Sequence, residues 1–210
     1  MQGISLIVPL SMRNRFEPNE IAAVRDVLRE RHGAIAFEVI LVGDAETLPG
    51  TRDGSVRVLE HAGDAVARCR EGIAAASNDL IVVLDPRRAY PPEAVAEVTD
   101  ALVNSDSGLA IAVPRAPKGR PWQTISLKTT GLASRLALGT TDVFSGLMAF
   151  RRSALADFPT SQPKGSRLVL DLLTWPEISH LDVSVPTRPE DRSPLGLFQI
   201  NDFRQAKRVL

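Results

Sequence analysis

Five short strand-like runs, four of them mainly apolar, each separated from the next by a loop or a helix-length polar-apolar repeat, constrain this chain more than any other feature. They are Ile4–Leu10, Phe37–Val42, Val56–Glu60, Leu80–Leu84 and Leu109–Val113. Runs such as Leu-Ile-Val-Val-Leu at 80–84 have no polar face, the pattern of a strand covered on both sides. Between them, Asn19–Arg31, Ala62–Ser77 and Glu93–Val103 place apolar residues near helical spacing. Pro18 or Asn19 opens the first helix and Gly33 closes it. Pro92 suits the first turn of the third. Strands alternating with helices predict a three-layer α/β sandwich with a mostly parallel central sheet and helices on both faces.

Beyond Pro114 the pattern changes. A Pro-, Lys- and Arg-rich loop at Arg115–Pro121 precedes a helical stretch over Ile125–Leu138, a turn at Gly139–Gly146 and a strand at Leu147–Phe150. A short helix at Arg152–Asp157, a helix at Leu168–Leu173 and a last strand at Leu181–Pro186 follow. The 210 residues read as a single domain, 1–210, in two halves, 1–114 and 115–210 with its C-terminal tail.

Charge argues against a nucleic-acid partner: 25 basic residues balance 25 acidic ones. One cysteine, Cys69, leaves no intramolecular disulfide and no cysteine zinc site, as expected of a reducing cytoplasm. The opening Met-Gln-Gly-Ile-Ser-Leu-Ile-Val-Pro-Leu lacks the features of a secretory signal. No stretch approaches the roughly 20 apolar residues of a membrane span. The expectation is a soluble, cytoplasmic protein.

Polar residues collect just after the strands, at Pro9–Ser11, Gly43–Ala45 and Asp85–Arg88. In open α/β sheets the ligand crevice lies outside these carboxyl ends. Asp85 ends a buried strand there and reads as a ligand carboxylate or as a turn residue before Pro86. Asp44 reads as a nucleotide contact or as a loop residue satisfying backbone amides. Arg87 and Arg88 read as phosphate ligands or as solvated charges. His32, His61 and His180 have no metal-ligand spacing, and Trp122 and Trp175 read as packing residues or as the lining of a cleft.

In order and spacing, these motifs resemble the family 2 glycosyltransferases of the GT-A fold, in the dolichol- or polyprenyl-phosphate mannosyltransferase-like branch. The resemblance covers Ile4 to about Leu195. It rests on the first strand with Pro9, on Glu38–Val42 with Gly43-Asp44, and on Ala67-Arg68 with Gly72-Ile73 and Asn78-Asp79. It rests also on Ile-Val-Val-Leu-Asp at 81–85 with Tyr90-Pro91-Pro92-Glu93, and on Asp142, Ser145, Gly146, Phe150 and Arg151, which match a stretch facing the acceptor.

The resemblance implies a glycosyltransferase (a hexosyltransferase) that moves a sugar from a nucleotide-sugar donor to an acceptor, with a polyprenyl phosphate implied by the branch. Contact with the inner face of a membrane would follow from that acceptor. Donor-binding positions are then Pro9, Asp44, Arg68, Asp85 and Arg87. Asp142 is the catalytic base, and Ser145, Gly146, Arg188 and Ser193 lie on the acceptor side. The family's D-x-D holds Mg2+ or Mn2+ against the diphosphate, because hard cations take oxygen ligands. Here the motif is degenerate, Asp85-Pro86-Arg87. Asp85 remains as metal ligand, while Arg87 offers donors only and suits the diphosphate directly.

Other positions depart from the family: Met148 for an arginine near the acceptor phosphate, Asp191 and Pro194 for a late Gly and Lys, and Leu10–Arg13 for the family's opening loop. These losses support an alternative, a non-catalytic binding or scaffold protein that kept the fold. A sugar-1-phosphate nucleotidyltransferase is disfavoured, because no glycine-rich signature follows the first strand. A nicotinamide-binding protein is disfavoured by the absence of G-x-G-x-x-G.

Overall fold

The computed structural model describes residues 3–10, 18–48, 54–86, 90–115, 139–140, 145–155, 168–173 and 178–187. Seven strands form one sheet: β1 (Ile4–Pro9), β2 (Phe37–Gly43), β3 (Val56–Glu60), β4 (Leu80–Leu84), β5 (Leu109–Pro114), β6 (Leu147–Arg151) and β7 (His180–Val185). Their order is β3-β2-β1-β4-β6-β5-β7. All neighbours are parallel except β6, which runs antiparallel to both β4 and β5. The helices are α1 (Pro18–His32), α2 (Ala65–Ala75), α3 (Pro92–Val103) and a short α4 (Leu168–Leu173). The predicted helix at 125–138 lies outside the described residues.

Strand residues alternate between two apolar layers because successive side chains point to opposite faces. Ile4, Leu6 and Val8 of β1 join Val39, Leu41 and Val82 in a cluster with Val24 and Leu28 of α1 and Val95, Val98 and Leu102 of α3. Ile7, Ile40, Val42, Ile81 and Val83 face the other way, against Cys69 and Ile73 of α2 and Leu168 and Leu172 of α4. Both faces are covered, as the unbroken apolar runs require.

Several boundaries differ from expectation for local reasons. The second helix begins at Ala65 because the Asp64 side chain accepts the Ala67 N–H at 2.8 Å, an N-cap that fixes the first turn. The helix ends before Ala76, which is extended. The predicted short helix after β6 is a single 3-10 turn, Arg152–Leu155. α1 ends at Gly33, whose φ of 73° and N–H to the Arg29 carbonyl (2.8 Å) make a left-handed terminus that glycine adopts without strain.

Gly72 lets α2 lie close on the sheet. A Cβ there would sit 2.5 Å from Ile7 Cγ2 and 3.3 Å from Val42 Cγ2. Alanine would gain about 1 kcal/mol of helix propensity, but a clash with two β-branched core side chains costs about 1–3 kcal/mol. Gly72→Ala is therefore expected to lower the urea midpoint. A midpoint at or above that of the parent would contradict this close packing.

Candidate functional site

Strand order locates the crevice. From β1 the chain steps to β2 and β3 on one side, then crosses to β4 on the other, so the order reverses between β1 and β4. Connections leave a parallel sheet in opposite directions at such a switch point and open a crevice at the carboxyl ends. Leu10 follows β1 there, Gly43-Asp44 closes β2, His61 follows β3 and Asp85 follows β4. β6 is antiparallel and begins at the same edge: Leu84 pairs with Leu147, and the Asp85 N–H donates to the Gly146 carbonyl at 2.6 Å. Asp85 and Gly146 are thus joined across neighbouring strands, 61 positions apart in the sequence.

One side chain ties the ends of the first three strands. Arg68 enters from α2 and is nearly enclosed, with 8% of its side chain exposed. Its Nη1 donates to the Leu10 carbonyl, its Nε to the His61 carbonyl at 3.1 Å, and its Nη2 to Asp44 Oδ2 at 2.7 Å. Two carbonyls and a carboxylate satisfy the three nitrogens, which is what lets a guanidinium be buried.

Asp44 keeps 35% of its side chain exposed. Behind it the chain turns tightly, with the Asp44 carbonyl accepting from Thr47 N (2.8 Å), Thr47 Oγ1 (2.9 Å) and Leu48 N (3.2 Å). This turn needs Gly43, where a Cβ would meet Thr47 Oγ1 at 2.6 Å. The His61 N–H donates to the Gly43 carbonyl (2.8 Å), and His61 Nδ1 accepts from the Gly63 N–H (2.9 Å).

The sequence-predicted residues sort as follows. Pro9, Asp44, Arg68, Asp85, Ser145 and Gly146 all lie at the carboxyl edge or are tied to it. Arg87, Asp142, Arg188 and Ser193 lie outside the described residues. The Ser145 hydroxyl is buried and engaged within its own turn, donating to the Leu147 carbonyl at 2.8 Å. Met148, matched to a family arginine near the acceptor, is a buried core residue on the α2 face.

Arg151, matched to the stretch facing the acceptor, pairs with Leu80 at the opposite edge of the sheet. Its Nη2 donates to the carbonyls of Leu102 (3.1 Å) and Ser105 (3.3 Å) at the end of α3. Arg152, which sequence reasoning missed, reaches the carbonyls of Ala76 and Asn78 beyond α2. The consecutive arginines thus serve terminal carbonyls after helices on opposite faces. Nor was there a local signal for the Arg68 contacts, since its partners lie 7, 24 and 58 positions away.

The opposite edge also holds the most organised carboxylate. Glu38 Oε1 accepts from Ser5 Oγ and from Ser77 N, both at 2.6 Å, while Oε2 faces Arg57 Nη1 at 3.5 Å. Burial alone would push its pKa up. The Ser5 hydroxyl, the Ser77 amide and Arg57 outweigh that and hold it below its ordinary value. A lowered native pKa contributes stability fully present above the unfolded value near 4.5 and lost as pH falls through the native one. Glu38→Gln is expected to cost about 1–2 kcal/mol at neutral pH and to flatten the acid limb of the stability profile. A parallel profile with no neutral-pH loss would contradict this.

For a divalent ion, the described residues hold no group of three or more His, Cys, Asp or Glu side chains. The carboxylates that follow β2 and β4 at the crevice edge are Asp44 and Asp85, and one oxygen of Asp44 is held by Arg68. So sparse a set of carboxylates fits an ion that completes its shell from diphosphate oxygens and water, as Mg2+ commonly does. It does not fit an all-protein cage. Among the described residues no helix is long and apolar enough to cross a membrane.

No family model matches the chain, and no curated protein sequence does. Solved structures do. The chain is similar to glucosyl-3-phosphoglycerate synthase from Mycobacterium tuberculosis in complex with UDP, at 20% identity and a TM-score of 0.60, covering 98% of this chain and 79% of that one. The same enzyme with Mn2+ and UDP-glucose aligns at 19% identity and a TM-score of 0.57, covering 99% and 76%. A mannosyltransferase from Pyrobaculum calidifontis in complex with GDP-Man and Mn2+ aligns at 18% identity and a TM-score of 0.56, covering 91% of this chain and 58% of that one. With the seven-stranded, mostly parallel sheet, these likenesses make the fold that of the GT-A nucleotide-sugar glycosyltransferases.

Proposed function

We propose that the chain is a glycosyltransferase of family 2 type, transferring a sugar from a nucleotide-sugar donor bound across the carboxyl edge of the sheet. The observation that carries this reading is Asp85 at the β1/β4 switch point, with Asp44 two strands away on an arginine-braced turn. From β3 to β4 there are three strand spacings, about 14 Å, room for an extended nucleoside diphosphate. The nucleoside end lies by Asp44 and the diphosphate by Asp85 and Arg87, with Pro9 lining the floor between them. Two of the structural neighbours were solved with Mn2+ and UDP-glucose or GDP-Man.

The reaction is an inverting displacement. An acceptor oxygen forms a bond to the anomeric carbon while the bond to the diphosphate oxygen breaks, and the nucleoside diphosphate leaves. Stabilising the charge on that leaving group is the main electrostatic task. Asp85 would hold Mg2+ or Mn2+, which would supply positive charge at the diphosphate. Arg87 adds a guanidinium suited to phosphate. Asp142 takes the proton when the acceptor is a hydroxyl, and Ser145, Gly146, Arg188 and Ser193 form the acceptor side.

The acceptor is a phosphorylated molecule. The polyprenyl-phosphate branch and neighbours such as the synthase solved with phosphoglyceric acid share that chemistry. Radiolabelled transfer separates the two sources. Label moving to 3-phosphoglycerate identifies a small acid acceptor, and label moving to polyprenyl phosphate in detergent identifies a lipid one. No transfer to either from UDP- or GDP-sugars contradicts the phosphorylated-acceptor reading.

One observation favours a second reading, a non-catalytic descendant: Asp85-Pro86-Arg87 has only one carboxylate where the related motif has two. Such a protein would bind nucleotide with no turnover towards any acceptor.

A further inference from the structure

Arg68 falls within the stretch that resembles the family's donor-binding helix, yet its surroundings suit a different task. Its Nε, Nη1 and Nη2 each donate to a protein oxygen, on His61, Leu10 and Asp44 respectively, and the side chain is 8% exposed. Three of the five N–H groups of this guanidinium are engaged, its enclosure leaves little surface for a phosphate, and the Asp44 carboxylate neutralises its charge. We infer that Arg68 is a positioning residue: it fixes Asp44 as a hydrogen-bond acceptor and locks the ends of β1, β2 and β3 into one edge.

Two consequences follow for the donor. The β1–β3 end of the crevice presents a braced carboxylate and no unneutralised Arg68 cation. It therefore takes the neutral part of the donor, through N–H groups of a base or hydroxyls of a ribose, and not its diphosphate. The tie also links ligand affinity to fold, because Arg68 acts on the ligand only through Asp44 and the strand ends. His61 belongs to the same edge. Its carbonyl holds Arg68 Nε, its N–H holds Gly43, and its ring is held by the Gly63 N–H. This inference rests on the nucleotide-sugar reading above.

The test is a double-mutant cycle in affinity for UDP and GDP, measured by calorimetry on Arg68→Lys, Asp44→Asn and the double variant, each confirmed folded by circular dichroism. Lysine keeps the charge but cannot reach three acceptors, so it isolates geometry. If Arg68 works through Asp44, each single variant loses about tenfold in affinity, and the double variant loses no more than the worse single one. If Arg68 touches the nucleotide itself, the losses multiply to about a hundredfold, and the inference is overturned. It is overturned equally if Arg68→Lys weakens binding while Asp44→Asn does not. Should Arg68→Lys not fold, Asp44→Asn decides: unchanged affinity for both nucleotides rejects the positioning role. A folded parent protein that binds neither UDP nor GDP removes the donor reading as well, an outcome distinct from an additive cycle.

Discussion

Asp85→Ala is expected to lower sugar transfer by about a hundred- to a thousandfold while leaving the protein folded. The effect on activity follows from where charge develops. Loss of one group that stabilises a leaving anion typically costs that factor, and Asp85 is the described carboxylate at the switch point. Retention of the fold follows from the backbone tie that the substitution leaves intact. The hydrogen bond that ties this position to β6 runs from the Asp85 backbone N–H to the Gly146 carbonyl, and alanine retains it. Transfer assays and thermal melts on the same preparation separate the two effects. Unchanged turnover would remove Asp85 from the site, and a collapsed melting temperature would make it a structural residue.

Arg68→Met should have the largest effect on stability. Methionine fills much of the same space but leaves the Leu10 and His61 carbonyls without their guanidinium partner and Asp44 without its cation. Breaking a buried charge pair commonly costs 3–5 kcal/mol, and the partial exposure of Asp44 discounts that figure. A loss of about 3 kcal/mol remains, or roughly 6–12 °C in a domain of this size. Arg68→Lys should recover part of it by keeping a cation near Asp44. A melting temperature within about 2 °C of the parent for Arg68→Met would show that the three strand ends do not depend on this side chain.

The strands were legible because a strand buried on both faces has few polar positions, and in Ile4–Pro9 and Leu80–Leu84 only Ser5 is polar. Periodicity says nothing about partners. The run Leu-Met-Ala-Phe at 147–150 reads as a strand, but its antiparallel insertion between β4 and β5 depends on contacts more than 60 positions away along β4. That insertion also decides the site. It brings Gly146 beside Asp85 and carries Arg151 to the far edge, where a motif match had suggested an acceptor contact. The placement of Asp85 and Asp44 was legible because the buried runs before them end at these residues, and strand ends in an α/β sheet border the crevice. The role of Arg68 was not, because hydrogen bonds to two distant carbonyls leave no trace in composition or spacing. Glu38 was equally opaque: inside the apolar strand β2 it looks like an edge charge, and only the turn at Ser77-Asn78 makes it an organised carboxylate.

The most direct test of the central claim is a thermal-shift titration with UDP- and GDP-sugars, each with Mn2+ and with EDTA. A ligand at about 100 times its dissociation constant adds about 2.7 kcal/mol of stability, or roughly 5–10 °C here. The account predicts such a shift for one nucleotide. Dependence on Mn2+ would assign the diphosphate to a metal on Asp85, and persistence in EDTA would assign it to Arg87. No shift with any nucleotide sugar, with or without metal, would contradict the donor site at the carboxyl edge.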